Sequence, residues 1–357
     1  MPLVAHHPLP TFQRLAREGV TVISRAQAVQ QDIRELHIGL LNLMPDAALE
    51  ATERQFLRLV GEANQVAQLY LHPFTLASVE RGASAKAHIE AHYARFDTLT
   101  KDGLDALIIT GANATGRDLS KEPFWGELTA VFDWAAEHVT STLCSCLATH
   151  ALLQHAHGEV RQPLGFKRWG VYAHAVSDRA HPLVSGVNTR FDVPHSRWNH
   201  ISRDTFEAHD MAVLAASDEG EVHLAVSGDG IRQVCFQGHP EYDAITLLKE
   251  YRREVARWLD KERSEPPPFP ERYFSPRSRA ILLEFQRRLA TPTNTVGLES
   301  FPEALLVPAL HNSWHDTAEA IMDNWIGIVY RLTHVERGRP FAEGVNPEAP
   351  LTWRARA

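Results

Sequence analysis

Long apolar runs, a basic excess and abundant cysteine are all missing from this 357-residue sequence. No apolar run reaches the length of about 20 residues that a membrane-spanning helix needs. Residues 1–10 also lack the charged-then-apolar pattern of a secretion signal. The net charge is −8, from 36 basic and 44 acidic side chains, and no basic block is present, which argues against a surface that follows nucleic-acid phosphates. We therefore expect neither a membrane nor a nucleic acid as a partner.

Cysteine is scarce, with three residues at positions 144, 146 and 235. A sparse, odd number argues against a disulfide framework and for a reducing compartment, so we predict a cytoplasmic protein. Histidine is plentiful, and His88 and His92 have the spacing that could place two zinc ligands on one helix face. No third ligand cluster accompanies them. We therefore expect solvent-exposed histidines at both positions and no bound metal.

Apolar runs and helical periodicities alternate through the first half of the chain. Short apolar runs indicate buried strands, and apolar residues at helical spacing indicate helices between and after them. The predicted strands span about 37–45, 66–71, 104–111 and 140–146, and the predicted helices about 49–60, 85–96, 123–135 and 147–155. This alternation predicts an α/β fold in which a doubly wound, mostly parallel sheet carries helices on both faces.

The second half of the chain is more varied. Residues 165–236 indicate short strands and turns, and Ser227-Gly-Asp-Gly230 predicts a hairpin. A helix is predicted at 244–259, and after the proline-rich stretch 265–270 two more are predicted, at about 277–289 and 315–332. We expect three parts: an N-terminal arm (1–34), a main α/β domain (35–264), and a linker with a helical extension that packs on that domain (265–357).

One cysteine stands where a predicted strand runs directly into a predicted helix, in Ser141-Thr-Leu-Cys-Ser-Cys-Leu-Ala-Thr-His150. Such a junction exposes the sulfur of Cys146 at the carboxyl edge of the sheet, and the helix N-terminus stabilises its thiolate. The backbone N–H of Leu147 can then donate to an oxyanion. A buried cysteine without a chemical role is the competing interpretation. On this segment alone, Cys144 is an equally plausible nucleophile.

A second candidate feature closes a later apolar strand, in Val234-Cys-Phe-Gln-Gly-His-Pro-Glu-Tyr-Asp243. His239 and Glu241 are two residues apart, so an extended backbone directs both side chains to one side. A carboxylate in that position can hold the imidazole tautomer while the other ring nitrogen faces a thiol. With Cys146 the pair would form a Cys–His–Glu triad. Taken alone, the segment is better interpreted as a His-Pro turn with a surface histidine.

Short motifs along the chain recur together in one known family. They are Leu41-Asn-Leu-Met-Pro45, Gln55-Phe-Leu-Arg58, Thr110-Gly-Ala112, His138-Val-Thr-Ser-Thr-Leu143, Gly170-Val-Tyr172, Pro194-His-Ser-Arg197 and Gly238-His-Pro-Glu-Tyr-Asp243. From about Ile38 to Trp325 the chain resembles the homoserine O-acyltransferases of methionine biosynthesis, the homoserine O-succinyltransferase family. Their fold is a variant of the class I glutamine amidotransferase fold, which the resemblance implies here.

The resemblance also assigns roles to individual residues. It selects Cys146 as the nucleophile, because the family's nucleophile follows the Thr-Ser-Thr-Leu strand at the third position. It implies that Lys167 and Ser196 bind substrate. It further implies that Arg253 clamps the carboxylate of homoserine, a task suited to a guanidinium fork. Without the resemblance, Lys167 and Arg253 are better interpreted as solvated surface charges.

The acyl donor depends on one position of the loop after Thr110-Gly-Ala112. In the family, glycine at that position goes with succinyl-CoA and glutamate with acetyl-CoA, whereas this chain has Thr115. Threonine places no negative charge against a succinyl carboxylate, although it is bulkier than glycine, so we favour succinyl-CoA. The chain also has Asp46-Ala-Ala-Leu-Glu50 where the family often has lysines.

The resemblance thus implies an acyltransferase that moves succinyl from succinyl-CoA to L-homoserine through a thioester on Cys146. We expect His239 as the base, Glu241 as its orienter, and the backbone N–H groups of Leu147 and Ala112 as oxyanion donors. The acyl-CoA is a co-substrate, no cofactor is expected to be bound, and a homodimer is implied. An acetyl donor or a serine acceptor would keep the mechanism, and a glutamine amidotransferase-type hydrolase is a more distant alternative.

Overall fold

The strands of this protein build the framework of the candidate site. The computed structural model describes residues 2–63, 67–114, 116–290, 297–351 and 353. Within these residues, eleven strands form one sheet. In chain order they are β1 (Leu3–Ala5), β2 (Val22–Ser24), β3 (Glu35–Leu41), β4 (Gln68–Phe74), β5 (Ala106–Ile109), β6 (Ser141–Ser145), β7 (Gln162–Val176), β8 (Arg190–His200), β9 (Ala212–Ala216), β10 (Val222–Val226) and β11 (Gln233–Phe236).

Helices occupy most of the connections between these strands. In chain order they are α1 (Pro10–Arg17), α2 (Arg25–Ala28), α3 (Asp46–Ala63), α4 (Ala83–His92), α5 (Phe96–Asp102), α6 (Trp125–His138), α7 (Leu147–His157), α8 (Arg203–Ala208), α9 (Thr246–Leu259), α10 (Pro276–Leu289), α11 (Glu303–Leu306) and α12 (His315–Leu332). Among the described helices, none combines the length and the apolar character needed to span a bilayer.

The sheet has a parallel part and an antiparallel part. Its strand order is β2-β1-β4-β3-β5-β6-β11-β10-β9-β7-β8. All pairs from β2 to β11 are parallel, and the pairs from β11 to β8 are antiparallel. The doubly wound, mostly parallel sheet predicted from the sequence is confirmed, and so is the hairpin, which joins β10 to β11.

Apolar side chains cover both faces of the sheet. On one face, Phe56 and Val60 of α3 and Trp325 of α12 join the core beneath β3 and β5. On the other face, α6 and α7 pack their buried residues, among them Val131 and Leu152, against the same strands. Each face removes a broad apolar area from water, which is the main term that stabilises such a sandwich.

The C-terminal segment packs in two places. Helix α12 lies on the sheet, where the indole N–H of Trp325 donates to the Ser141 hydroxyl at 2.8 Å. Helix α10 instead forms a separate apolar cluster with α9, which includes Tyr251, Leu282 and Trp314. The helices predicted at about 277–289 and 315–332 therefore coincide with α10 and α12.

Three stretches differ from the sequence-based expectation. The N-terminal arm adds β1 and β2 to the sheet edge beside β4. The helix predicted over 85–96 is two helices, α4 and α5, separated by Tyr93–Arg95. The short strands expected after residue 165 include a long hairpin, because β7 and β8 span 15 and 11 residues. The division of the chain at residues 34 and 264 stays a prediction.

Candidate active site

Cys146 occupies the sharp turn between β6 and α7. Its backbone has φ 51° and ψ −109°, a conformation that an L-residue with a side chain rarely adopts. Such a strained junction persists only where its surroundings enforce it. Because β6 is flanked by β5 and β11, the turn lies at the carboxyl edge of the parallel sheet, where α/β folds bind ligands.

Hydrogen bonds from β11 and from α7 itself fix this turn. The Cys146 N–H donates to the Phe236 carbonyl at 2.8 Å. The Thr149 hydroxyl lies 3.0 Å from the carbonyl oxygens of Cys144 and Phe236, and donates to both. The threonine thus ties the end of β6 to the end of β11, and the nucleophile and the following strand are held in one fixed relation.

His239 and Glu241 follow β11 and form a direct contact. His239 Nδ1 lies 2.8 Å from Glu241 Oε1, and both side chains are buried. The His239 N–H donates to the Pro194 carbonyl at 2.8 Å, which joins the two sequence motifs that contain these residues. On its other side the imidazole stacks on Tyr242, with ring centroids 4.3 Å apart. The ring is therefore oriented by a carboxylate, by stacking and by the backbone.

Gly238 permits the close approach of this segment to β8 and β10. A Cβ atom at Gly238 would lie 2.4 Å from Val193 Cγ1 and 2.9 Å from His223 Nδ1. Both distances are shorter than real carbon contacts allow, so any side chain here would push His239 away from the sheet.

The thiol of Cys146 and the imidazole of His239 are hydrogen-bonded to each other. Burial raises the pKa of the Cys146 thiol, but the charge of His239, this hydrogen bond and the charge of Arg197 together bring it below its ordinary value. Burial lowers the pKa of His239, but the charges of Glu241 and Cys146 bring it well above its ordinary value. The two groups therefore favour a thiolate–imidazolium pair, the reactive form of a cysteine nucleophile.

The other two cysteines are packed inside the sheet. Cys144 and Cys235 are paired neighbours on β6 and β11, and both are fully buried and unbridged. Burial raises the pKa of Cys144 well above its ordinary value and that of Cys235 to about 12. Both thiols therefore stay protonated, which suits apolar packing and not nucleophilic attack.

The loop that follows β5 lies beside the nucleophile. A Cβ atom at Gly111 would lie 3.7 Å from Cys146 Cβ and 3.9 Å from the Leu147 nitrogen. Leu147 is the first residue of α7, and the first amides of a helix have no acceptor within it. The amides of Leu147 and of Gly111–Ala112 are therefore near each other, as an oxyanion site requires. Thr115, further along this loop, lies outside the described residues.

A buried carboxylate gathers two of the predicted substrate-binding residues. Glu250 of α9 accepts from Lys167 Nζ at 3.1 Å and from the Ser196 hydroxyl at 2.6 Å. The Tyr242 hydroxyl donates to its other oxygen at 2.9 Å. Burial raises the pKa of Glu250, but the charge of Lys167 and these hydrogen bonds bring it below its ordinary value. Tyr242 also stacks on His239, so this cluster borders the candidate triad.

Glu250 is a site residue that the sequence analysis missed. Arg253, which was predicted to clamp a carboxylate, lies three residues further along α9 and is exposed. Residues three apart share a helix side, so Arg253 extends from the same side of α9 as Glu250. The structure thus brings Lys167 and Ser196 together at Glu250, whereas the Arg253 side chain is exposed on the same side of α9.

Helix α3 supports the segment that follows the triad. Arg54 donates to Asp243 Oδ2 at 2.6 Å, and Arg58 pairs with the other oxygen of Asp243. The Gln55 side chain donates to the Thr246 hydroxyl at 2.7 Å. The motif Gln55-Phe-Leu-Arg58 therefore places polar groups directly against the residues that connect the triad to α9.

The expected solvent exposure of His88 and His92 is wrong. Both are partly buried, and His88 Nε2 lies 2.9 Å from Glu53 Oε2 of α3, whose side chain is fully buried. Because Glu53 arrives from a distant part of the sequence, the local spacing could not reveal this contact. In the described part of the chain, no group of three or more His, Cys, Asp or Glu side chains is arranged to hold a metal ion.

Comparisons with known proteins identify the family of this chain. The family model described as homoserine O-succinyltransferase matches residues 2–335. The homoserine O-succinyltransferases of Thioalkalivibrio nitratireducens and Thiothrix nivea are each 59% identical to this chain, over 99% of it and 99% of their own length. A solved glutamine amidotransferase from Methylobacillus Flagellatus is 13% identical and covers 83% of this chain and 95% of its own, with a TM-score of 0.45, too low to support an argument. On the family match and these relatives, the chain belongs to the homoserine O-succinyltransferase family of acyltransferases.

Proposed function

We propose that this chain transfers a succinyl group from succinyl-CoA to the hydroxyl of L-homoserine by way of a thioester on Cys146. The observation that carries the proposal is the strained, hydrogen-bonded thiol of Cys146 beside an imidazole that a buried carboxylate orients. Names of full-length relatives at 59% identity support the choice of substrates.

The first half-reaction forms the acyl-enzyme. The Cys146 thiolate attacks the thioester carbonyl, and the oxyanion that forms is held by the amides of Leu147 and Ala112. The bond between that carbon and the CoA sulfur then breaks, and the protonated His239 gives its proton to the departing sulfur. The products are free CoA and a succinyl thioester on Cys146, and His239 is left neutral.

The second half-reaction transfers the acyl group. His239 removes the proton of the homoserine hydroxyl as its oxygen attacks the thioester carbonyl. The bond from carbon to Cys146 Sγ breaks, and the proton on His239 restores the thiolate–imidazolium pair. Glu241 keeps the reactive nitrogen of His239 directed at the sulfur in both halves. The same geometry serves both steps, as a ping-pong sequence requires.

Homoserine carries an ammonium and a carboxylate, and the residues beside the triad can pair with both. We place its ammonium against Glu250 and its carboxylate between Lys167 and Arg253, with Ser196 fixing the orientation of Glu250. Support comes from the contacts of Glu250 with Lys167 and Ser196 and from the position of Arg253 one turn along α9. The stack of Tyr242 on His239 brings this cluster next to the base.

Intact-mass measurement after mixing with an acyl-CoA tests the proposal. Succinyl-CoA should add one succinyl group to the wild type, and homoserine should then remove it with formation of O-succinylhomoserine. Acetyl-CoA serves as the competing donor and serine as the competing acceptor. Cys146→Ser is the control that should accumulate no thioester. A protein that carries no adduct from either CoA ester, or a Cys146→Ser variant that makes product at a near-normal rate, would contradict the proposal.

Further properties belong to the same proposal. The unbridged cysteines support a cytoplasmic location. A homodimer is proposed on the family resemblance, and light scattering of the purified protein at several concentrations tests it. We also propose that the reaction uses no bound cofactor or metal, and metal analysis together with activity after exhaustive chelation tests that statement.

A further inference from the structure

Arg161 is a buried cation that holds the loop beyond the proposed oxyanion site. It lies between α7 and β7 and is 6% exposed. Its guanidinium donates to the carbonyl oxygens of Ala114 and Gly116, at 2.8 and 2.9 Å. These two residues flank position 115. The loop begins beside Cys146 at Gly111. Three to five residues later, at Ala114 and Gly116, Arg161 holds it by hydrogen bonds.

The direct partners of Arg161 within the described residues are neutral carbonyl groups. Its hydrogen bonds there all go to carbonyl oxygens, and none of the ion pairs there includes it. Other buried arginines in the same region do have carboxylate partners: Arg197 pairs with Glu221 and Arg168 with Glu219. Buried arginine is rare without such a partner. Arg161 is thus set apart as a buried cation with no ion-pair partner among the described residues, although the charges of Cys146 and Glu122 act on it.

His150 supplies an unsatisfied polar group in the same neighbourhood. It lies on α7 one turn after Cys146, is 3% exposed, and its Nδ1 has no hydrogen-bond partner among the described residues. Burial lowers the pKa of His150 far below its ordinary value, and the charges of Arg197 and Arg161 lower it further. The negative charge of Cys146 acts on Arg161, so the cation, the imidazole and the thiolate are close together.

The geometry points to a carboxylate-binding subsite formed by Arg161 and His150, which receives the terminal carboxylate of the acyl group while its thioester carbonyl is at Cys146. The inference rests on the proposed function and names the residues that recognise its donor. A succinyl group differs from an acetyl group in carrying this distant negative charge, and a guanidinium fork is its natural partner. The carboxylate takes no part in bond making or breaking, so Arg161 is a specificity residue and not a catalytic one.

The test compares two four-carbon donors, succinyl-CoA and butyryl-CoA, which differ in the terminal carboxylate. The rate of acylation of Cys146 is measured by intact mass for the wild type and for Arg161→Gln. The variant should lower the ratio of the succinyl rate to the butyryl rate by roughly 10- to 100-fold, the range expected for a lost charged hydrogen bond. Loss of the loop contacts would lower both rates together and leave the ratio unchanged, and that result would overturn the inference.

Matched controls keep the result interpretable. Arg168→Gln removes a buried arginine that already has a carboxylate partner, so it should leave the ratio unchanged, and a similar fall in this variant would count against a specific subsite. If Arg161→Gln does not fold, the wild type alone decides by a comparison of succinyl-CoA with succinamoyl-CoA, in which an amide replaces the carboxylate. Equal rates with these two donors would overturn the inference. Absence of any acylation by succinyl-CoA would instead defeat the proposed function.

Discussion

Two cysteines that are two residues apart, one on β6 and one in the turn that follows it, have opposite chemistry. Cys144 lies inside the sheet between β5 and β11, where burial raises the pKa of its thiol and nothing nearby compensates. Cys146 lies at the end of the same strand, where the charge of His239 overcomes the effect of burial. The reactive thiol therefore differs from the inert one in having a charged partner, and it is also the less buried of the two.

Histidines in two regions of the sheet repeat this contrast. At the carboxyl edge, Glu241 helps to raise the pKa of His239 well above its ordinary value. At the other region, on β4, burial and the charges of neighbouring histidines lower the pKa of His72 to about 2. A histidine side chain is thus kept charged at His239 in the candidate site and neutral at His72 on β4. Substitutions at these cysteines and histidines, or at their partners, test the two contrasts one at a time.

The largest effect is expected from exchanging the two cysteines one at a time for serine. Cys146→Ser should lower kcat/KM by about a thousandfold or more, because the hydroxyl is not ionised beside His239. Cys144→Ser should keep activity within a few-fold and instead lower the free energy of unfolding by about 1–3 kcal/mol, since it buries a hydroxyl in an apolar site. Steady-state kinetics and urea unfolding of both variants measure this. The comparison fails if Cys144→Ser is the less active of the two.

The next effect concerns the carboxylate that orients the base. Glu241→Gln should lower kcat by about a hundredfold, because the pKa of His239 then falls toward the value set by burial and the imidazole loses its orientation. Thermal unfolding should change little, since glutamine has nearly the same size. Rates measured from pH 6 to 9 check the prediction, and Glu250→Gln is the control that should raise KM for homoserine more than it lowers the acylation rate. An unchanged kcat in Glu241→Gln would be evidence against the triad.

A smaller effect should appear in the pH dependence of alkylation. Because the pKa of Cys146 is lowered, its reaction with iodoacetamide should have a midpoint below about 8.5, the value of a free thiol. His239→Gln removes the charge that opposes burial, so the midpoint should move upward. Cys144 and Cys235 should stay unmodified in the folded protein. Peptide mass spectrometry at a series of pH values gives all three rates, and equal labelling of the three cysteines would remove the basis of the comparison.

The positions of Cys146, His239 and Glu241 in the fold followed from the sequence for a physical reason. Each comes at the end of an apolar strand, and the carboxyl ends of neighbouring parallel strands meet at one edge of the sheet. Gly111 lies at the end of a third such strand. Residues whose place is set by strand ends can therefore be located from periodicity, whereas the family resemblance was needed to prefer Cys146 to Cys144 and a triad to a structural cysteine and a His-Pro turn.

Other contacts had no local signal. Glu250 is one of two glutamates on the amphipathic helix α9, and only the partners brought by β7 and β8 distinguish it. Glu53 meets His88 across 35 residues of sequence. Strands β1 and β2 have three residues each, too few for a periodicity to be recognised. Long-range pairing decides all three cases, and it is not encoded in spacing along the chain.

The smallest expected effect is on the free energy of unfolding at acidic pH, and it tests whether His37 and His72 are neutral in the folded protein. His37 Nδ1 lies 2.9 Å from His72 Nε2, a contact that needs one donor and one acceptor, so at least one of the two rings is neutral. Burial and the charge of Arg337 lower the pKa of His37 to about 4, and that of His72 is lowered to about 2. Below pH 6.5 these two histidines bind protons in the unfolded chain but not in the folded one. The free energy of unfolding therefore decreases as the pH falls from 6.5 toward 4.

His72→Gln should therefore remove part of this acid sensitivity, by about 1–2 kcal/mol between pH 7 and pH 5. Urea unfolding at pH 7, 6 and 5 measures it for the variant and the wild type. His311→Gln changes an exposed histidine and should follow the wild-type curve. If His72→Gln followed that curve as well, protonation of His72 would not contribute to the loss of stability at low pH. The contrast between a buried histidine with a carboxylate partner and one without would then rest on His239 alone.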